Sequence, residues 1–195
     1  MRTGIFGGSF DPPHNGHLAL CLYARELSRL DHLIVSVSKN PFKASADASD
    51  EDRAVMTGLL VDEVNSVGTF AKTSIWELHQ PGPSYTVNLL RHVKKLYPDD
   101  ELVLLTGEDS YRQMPQWKNY SDIPRLCMIA VFGRATGAPV SEVCGESLPP
   151  ANLYDFNMPV SATEIRALVA SGKPFAHLVP PSIASYIDSH DLYRA

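Results

Sequence analysis

Near its start the sequence carries an unbroken run, GGSFDPPHNGH at 7–17, whose residue types suit an anion better than a core. Gly7 and Gly8 let the backbone approach a ligand with no Cβ in the way, and their N–H groups can point at phosphate oxygens. Each proline fixes its own φ, and Pro13 also restricts Pro12, so Asp11–Pro13 is expected to form a rigid turn. His14 and His17 stand three apart, which places them on one face of a first helical turn, where both imidazoles can donate to a phosphate. A helix beginning near Asn15 or Gly16 would turn its positive end to the same place. A helix terminus alone contributes only about 0.3–1 kcal/mol, so the histidines would have to supply the rest. Two other readings stay open on these residues alone. A glycine pair after a first strand is often only a turn. HxxH is also a zinc-pair spacing, although no third His, Cys or carboxylate follows nearby at ligand spacing.

The elements that must hold this run follow from periodicity. Arg2–Phe6 reads as a strand feeding the glycines, and Gly16–Leu30 as a helix with apolar Leu18, Leu20, Leu22 and Leu27. His32–Val37 is a second strand. The polar stretch 38–49 follows as a loop whose composition permits a mobile lid, and then Asp50–Val64 is a helix opened by acidic residues. Ser84–Tyr97 is a helix stopped by Pro98, with Ser84 a natural N-cap. Glu101–Thr106 and Cys127–Phe132 are apolar strands, 133–150 is a loop, and Ser161–Ser171 and Pro181–Ser189 are closing helices. Strands alternating with helices imply a single α/β domain over 1–195, with a mainly parallel sheet and ligands at the carboxyl ends of its strands.

Composition narrows the partners. The 195 residues are 44% hydrophobic and 20% charged, ordinary for a folded domain, and the net charge is −5. That balance disfavours nucleic acid and anionic membrane, both of which need a basic face. Cys21, Cys127 and Cys144 are far apart and form no CxxC, so a reducing, cytoplasmic setting is expected rather than a disulfide framework. No segment approaches a signal peptide or a membrane span. Self-association is left open.

The run GGSFDPPHNGH resembles the signature of the nucleotidylyltransferase superfamily, a GxFDPxHxGH loop with an HxGH element, and within it the chain is most similar to bacterial nicotinate-nucleotide adenylyltransferases. The resemblance extends from the first strand to the closing LVPPSIASYIDSHDLY. It implies a Rossmann-like nucleotidylyltransferase fold, with Gly7, Gly8, Ser9, Phe10, His14 and His17 meeting ATP. PFK at 41–43 corresponds to the family's phosphate lysine, Lys43, a mobile point charge. PSYTVNLL at 83–90 resembles the family's SYT segment, implying that Ser84, Tyr85 and Thr86 recognise the pyridine carboxylate through the amides of a helix start. TGEDSYRQMPQW at 106–117 implies that Asp109 accepts from ribose hydroxyls, that Trp117 stacks the nicotinate ring and that Lys118 lies beside it. MPVSATEIRAL at 158–168 resembles the second signature, normally ISSTxIR, and implies ATP-phosphate roles for Ser161, Thr163 and Arg166. Here Val160 replaces Ile and Ala162 replaces the middle Ser. Ser161 and Glu164 also make a capping box with no ligand at all.

The reaction implied joins ATP and nicotinate mononucleotide to give deamido-NAD and pyrophosphate. Mg²⁺ would accompany ATP, and no dedicated protein metal site is implied. His14, His17, Lys43 and Arg166 would form the charge-neutralising set. Three alternatives are weighed against it. Another adenylyltransferase of this fold would take the amide mononucleotide or phosphopantetheine, or CTP in place of ATP. A nucleotide-sensing module would have lost turnover, yet could then shed His14, His17, Lys43 and Arg166. A redox Rossmann protein would need GxGxxG, which GGSFDP does not supply.

Overall fold

The computed structural model describes residues 1–39, 47–133 and 148–194. Lys43 lies outside them, as do Cys144, most of the stretch read as a lid and most of the loop read over 133–150.

Six strands form one sheet in which each neighbouring pair is parallel: β1 (Arg2–Gly8), β2 (His32–Val37), β3 (Ala71–Ser74), β4 (Glu101–Gly107), β5 (Met128–Gly133) and β6 (Asn152–Asp155). The order across the sheet is β3-β2-β1-β4-β5-β6. The chain therefore winds outward from β1 to β3, then returns to build β4 to β6 on the other side. That reversal opens a crevice at the carboxyl ends of β1 and β4, where parallel α/β sheets bind ligands.

Strand alternation sorts the side chains to two faces. Phe6, Leu33, Val35, Val103, Leu105, Ala130 and Phe132 pack against α1 (Asn15–Leu27), α2 (Asp50–Asn65), α6 (Ala162–Ala170) and α7 (Pro181–Ser189). Ile5, Ile34, Leu102, Leu104, Ile129 and Val131 pack against α3 (Thr86–Leu96) and the short helices α4 (Glu108–Arg112) and α5 (Ile123–Leu126). Both faces are covered, which is why β1, β2, β4 and β5 read as nearly continuous apolar runs.

Several boundaries differ from the sequence reading. β1 continues through Gly7 and Gly8, whose partners are Ser36 and Val37, so the two glycines end the strand rather than form a separate loop. α1 stops at Leu27, because Ser28 caps it and Arg29 takes a left-handed φ of 50° that turns the chain into β2. α3 begins at Thr86 and not Ser84: Tyr85 is the cap residue, and its carbonyl accepts from Asn88 N and Leu89 N. The edge strands β3 and β6 are four residues each and are not anticipated by the sequence reading. Among the described residues no helix is long and apolar enough to cross a membrane.

Candidate active site

A cleft of about 1600 Å³ lies over the crevice between β1 and β4. Gly7 and Gly8 at the end of β1 form its floor, together with Gly107 at the end of β4. A Cβ at Gly7 would meet nothing within 4 Å. Protein packing therefore does not require glycine there, whereas a ligand approaching the strand end would.

His14 caps α1 and His17 sits in its first turn. Their rings stack with centroids 3.7 Å apart. His14 N donates to His17 Nδ1 at 3.2 Å. A backbone N–H can only donate, so His17 Nδ1 carries no proton and the neutral ring has its proton on Nε2. Gly16 makes the stack feasible, since a Cβ there would come within 3.0 Å of the His14 ring. His14 is buried, and burial lowers its pKa to about 4, so it is uncharged at neutral pH. Its Nδ1 is buried with no hydrogen-bond partner. The two histidines are thus a pair of neutral donors rather than two imidazolium charges.

Phe10, with a φ of 48°, folds its ring under the strand end, and its centroid lies 5.0 Å from that of His17. Ser9, between Gly8 and Phe10, is held from outside. Arg53 of α2, only 3% exposed, donates through Nη1 to Ser9 O at 2.7 Å and to Ser38 O at 3.1 Å, and pairs through Nη2 with Asp50 at 2.6 Å. Sequence reading passes over Arg53, because one arginine in an acidic helix start looks like a solvated surface charge.

Ser161 and Thr163 line the cleft where α6 begins. Ser161 Oγ accepts from Glu164 N at 3.2 Å, as the capping-box spacing predicts. Arg166 also lines the cleft, but its guanidinium is engaged with protein groups. Nη1 donates to Asp11 O at 2.8 Å and Nε pairs with Asp47 at 2.5 Å.

The other half of the cleft is bounded by Ser84, Tyr85, Thr86, Asp109, Trp117 and Lys118. Thr86 opens α3, whose first amides have no intrahelical acceptor. Asp109 is exposed in the first turn of α4, directly after β4. Trp117 is half-buried, and Lys118 places its ammonium 4.5 Å from the centre of the Tyr85 ring. Ser84 is buried, with Oγ lacking a hydrogen-bond partner. It does not cap the helix, contrary to the natural expectation for a serine there. Beneath it lies Glu77, also not anticipated, which is 3% exposed and accepts from Ser36 Oγ at 2.8 Å. Burial raises the Glu77 pKa, and the nearby hydroxyls of Ser84 and Ser36 draw it partly back, although Ser84 stops short of hydrogen-bond geometry. Of the predicted site residues, all except Lys43 therefore line one cleft.

Known proteins resemble this chain over most or all of its length. The cytidylyltransferase-like family matches residues 5–168. A protein of Chlorobaculum parvum named as a probable nicotinate-nucleotide adenylyltransferase is 66% identical over 196 residues, covering 100% of both chains. One of the same name from Chlorobaculum tepidum is 64% identical over 195 residues, again covering 100% of both. In three dimensions, nicotinic acid mononucleotide adenylyltransferase of Plasmodium falciparum, solved with NaAD, superposes with a TM-score of 0.77 at 18% identity, covering 98% of this chain and 97% of that one. That likeness carries the fold, while the full-length identities carry the lineage. By the family match over residues 5–168 and these identities, the chain belongs to the cytidylyltransferase-like family, within its nicotinate-nucleotide adenylyltransferase branch.

Proposed function

We propose that this enzyme transfers the adenylyl group of ATP to nicotinate mononucleotide, a step of NAD biosynthesis that forms deamido-NAD and pyrophosphate. The observation that carries the reading is that one cleft at the β1–β4 reversal holds a neutral histidine pair at one side and a half-buried tryptophan beside a helix start at the other. An oxygen of the mononucleotide phosphate attacks the α-phosphorus of ATP; that P–O bond forms while the α–β bridging bond breaks and pyrophosphate leaves. A phosphate monoester has its second pKa at about 6 and is mostly dianionic at neutral pH, so the nucleophile needs no general base. Catalysis then consists of positioning and of stabilising charge on the reacting and leaving oxygens.

In this reading His17 donates through Nε2–H to a phosphate oxygen, His14 adds a second neutral donor, and the amides opening α1 and α6 add their dipoles. Ser161 and Thr163 supply hydroxyls, Arg166 borders the phosphates, and Lys43 adds a positive charge. Trp117 stacks the pyridine ring, Asp109 accepts from ribose, and the Tyr85–Thr86 amides with Lys118 favour a carboxylate over an amide. Mg²⁺ bound with ATP would neutralise phosphate charge. The enzyme is read as cytoplasmic, with small-molecule substrates and no nucleic-acid or membrane partner.

Parallel kinetics with ATP and either mononucleotide test the assignment. Pyrophosphate release with the acid form should exceed that with the amide form by about tenfold or more in kcat/KM. A preference for the amide would overturn the choice of substrate, and no release with either would overturn the reaction.

A further inference from the structure

After α7 the chain doubles back to the signature turn. Tyr193 Oη donates to Asp11 Oδ1 at 2.8 Å, joining residues 182 apart in sequence. Asp11 is only 7% exposed, and its carboxylate is shared: Oδ2 accepts from Asp47 N at 2.9 Å, and Oδ1 also accepts from Ala48 N at 3.1 Å. The Asp11 carbonyl accepts from Arg166, which in turn pairs with Asp47. One residue of the GGSFDPPHNGH run therefore gathers the Asp47–Ala48 backbone and the segment after α7 through its side chain, and α6 through its carbonyl.

Two features show that Tyr193 is held there rather than resting there. Its backbone takes a φ of 61°, a left-handed conformation that residues bearing a Cβ rarely adopt. Asp191 two residues earlier is also left-handed, at 49°. Burial and then the Asp11 charge raise the phenol pKa far above its ordinary value, so Oη stays a proton donor. Asp11, Asp47 and Arg166 of this network line the cleft, while Tyr193 stands behind them in a separate hollow beside Asp47 and Arg166.

We propose that Tyr193 is a positioning residue for ATP: acting through Asp11, it holds the turn that presents His14 and His17 together with the Asp47–Ala48 backbone. This rests on the adenylyl-transfer reading above. Phe at 193 keeps the ring and its packing but deletes the hydroxyl, leaving Asp11 its two backbone donors. The experiment compares wild type, Tyr193→Phe, Asp11→Asn and the double variant. Tyr193→Phe should raise the KM for ATP by about three- to tenfold while the KM for the mononucleotide stays within about twofold. On the Asp11→Asn background the same change should add less than about twofold, because the two residues act as one unit. An unchanged ATP KM, two KM values rising together with a loss of folded protein, or effects that multiply in the double variant would each overturn the proposal. Affinity for a non-hydrolysable ATP analogue, read on the same proteins, separates the two ideas. An inactive wild type counts against the reaction, whereas equal analogue affinities of wild type and Tyr193→Phe count against the tie.

Discussion

His14 N donates to His17 Nδ1 at 3.2 Å while the two rings stack 3.7 Å apart, so the backbone of one histidine sets the tautomer of the other. The proton is then on His17 Nε2, which in the proposed reaction donates to a phosphate oxygen, and that position can be tested chemically. His17→Ala should lower turnover by about 10²–10³, the range for losing one donor to a charged transition state. His17→Gln can place an amide N–H near the Nε2 position and should retain more activity than His17→Asn, whose amide reaches only as far as Nδ1. Single-turnover rates at saturating substrates rank the three variants, and Asn equalling Gln would refute the tautomer argument.

The buried His14 makes stability depend on pH. Its folded pKa of about 4 lies below the ordinary 6.5, so between those values the unfolded chain binds a proton that the folded chain refuses. Stability is therefore complete above about pH 6.5 and falls as pH drops toward 4, by up to about 3 kcal/mol. Glu77 works the other way, because its raised pKa makes stability fall as pH rises. Comparison with His14→Asn isolates the histidine. Urea unfolding at several pH values from about 4.5 to 7 should show a shallower acid slope in the variant, and parallel curves would show that His14 does not carry the effect.

The central strands and the turn that borders the cleft were legible because their signals are local. Apolar strand runs, a rigid Asp-Pro-Pro and an HxGH spacing need no tertiary information. Residues such as Arg53, Glu77 and Tyr193 were not. Each is an ordinary polar residue in an ordinary context, and it matters because the fold brings it to a group distant in sequence: Arg53 to Ser9 O, Glu77 to Ser36 Oγ and Tyr193 to Asp11 Oδ1. The edge strands β3, AKTS, and β6, NLYD, were hidden for a related reason. They carry little apolar pattern of their own and become strands by pairing with β2 and β5. Ser84 shows the reverse failure. Its residue type suits an N-cap, yet the helix starts two residues later, with Ser84 N bound to Lys39 O at 3.2 Å.

The proposed stacking of the pyridine ring on Trp117 allows the two halves of the cleft to be told apart energetically. Stacking of an aromatic base or ring on such a side chain is worth about 1–3 kcal/mol, so Trp117→Ala should raise the KM for the mononucleotide by roughly 5- to 100-fold while the KM for ATP changes little. Trp117→Phe keeps a flat face and should recover much of the loss. Initial rates with each substrate varied in turn give both constants, and a rise confined to ATP would remove Trp117 from the pyridine site.

Arg53 offers the strongest test of how the turn is supported. Its guanidinium spans Ser9 O, Ser38 O and Asp50, three acceptors in different directions that a planar fork can reach together. Lysine carries the same charge on a single point and cannot serve all three, so Arg53→Lys should leave at least one buried carbonyl without its donor. The loss in stability should be about 1–3 kcal/mol, visible as a lower urea midpoint with an unchanged slope. Because Ser9 lies between Gly8 and Phe10, at the end of β1, the same substitution should raise the KM for ATP more than the KM for the mononucleotide. Stability lost with both Michaelis constants intact would show Arg53 to be a support of the fold alone, with the turn held by its prolines and by Asp11.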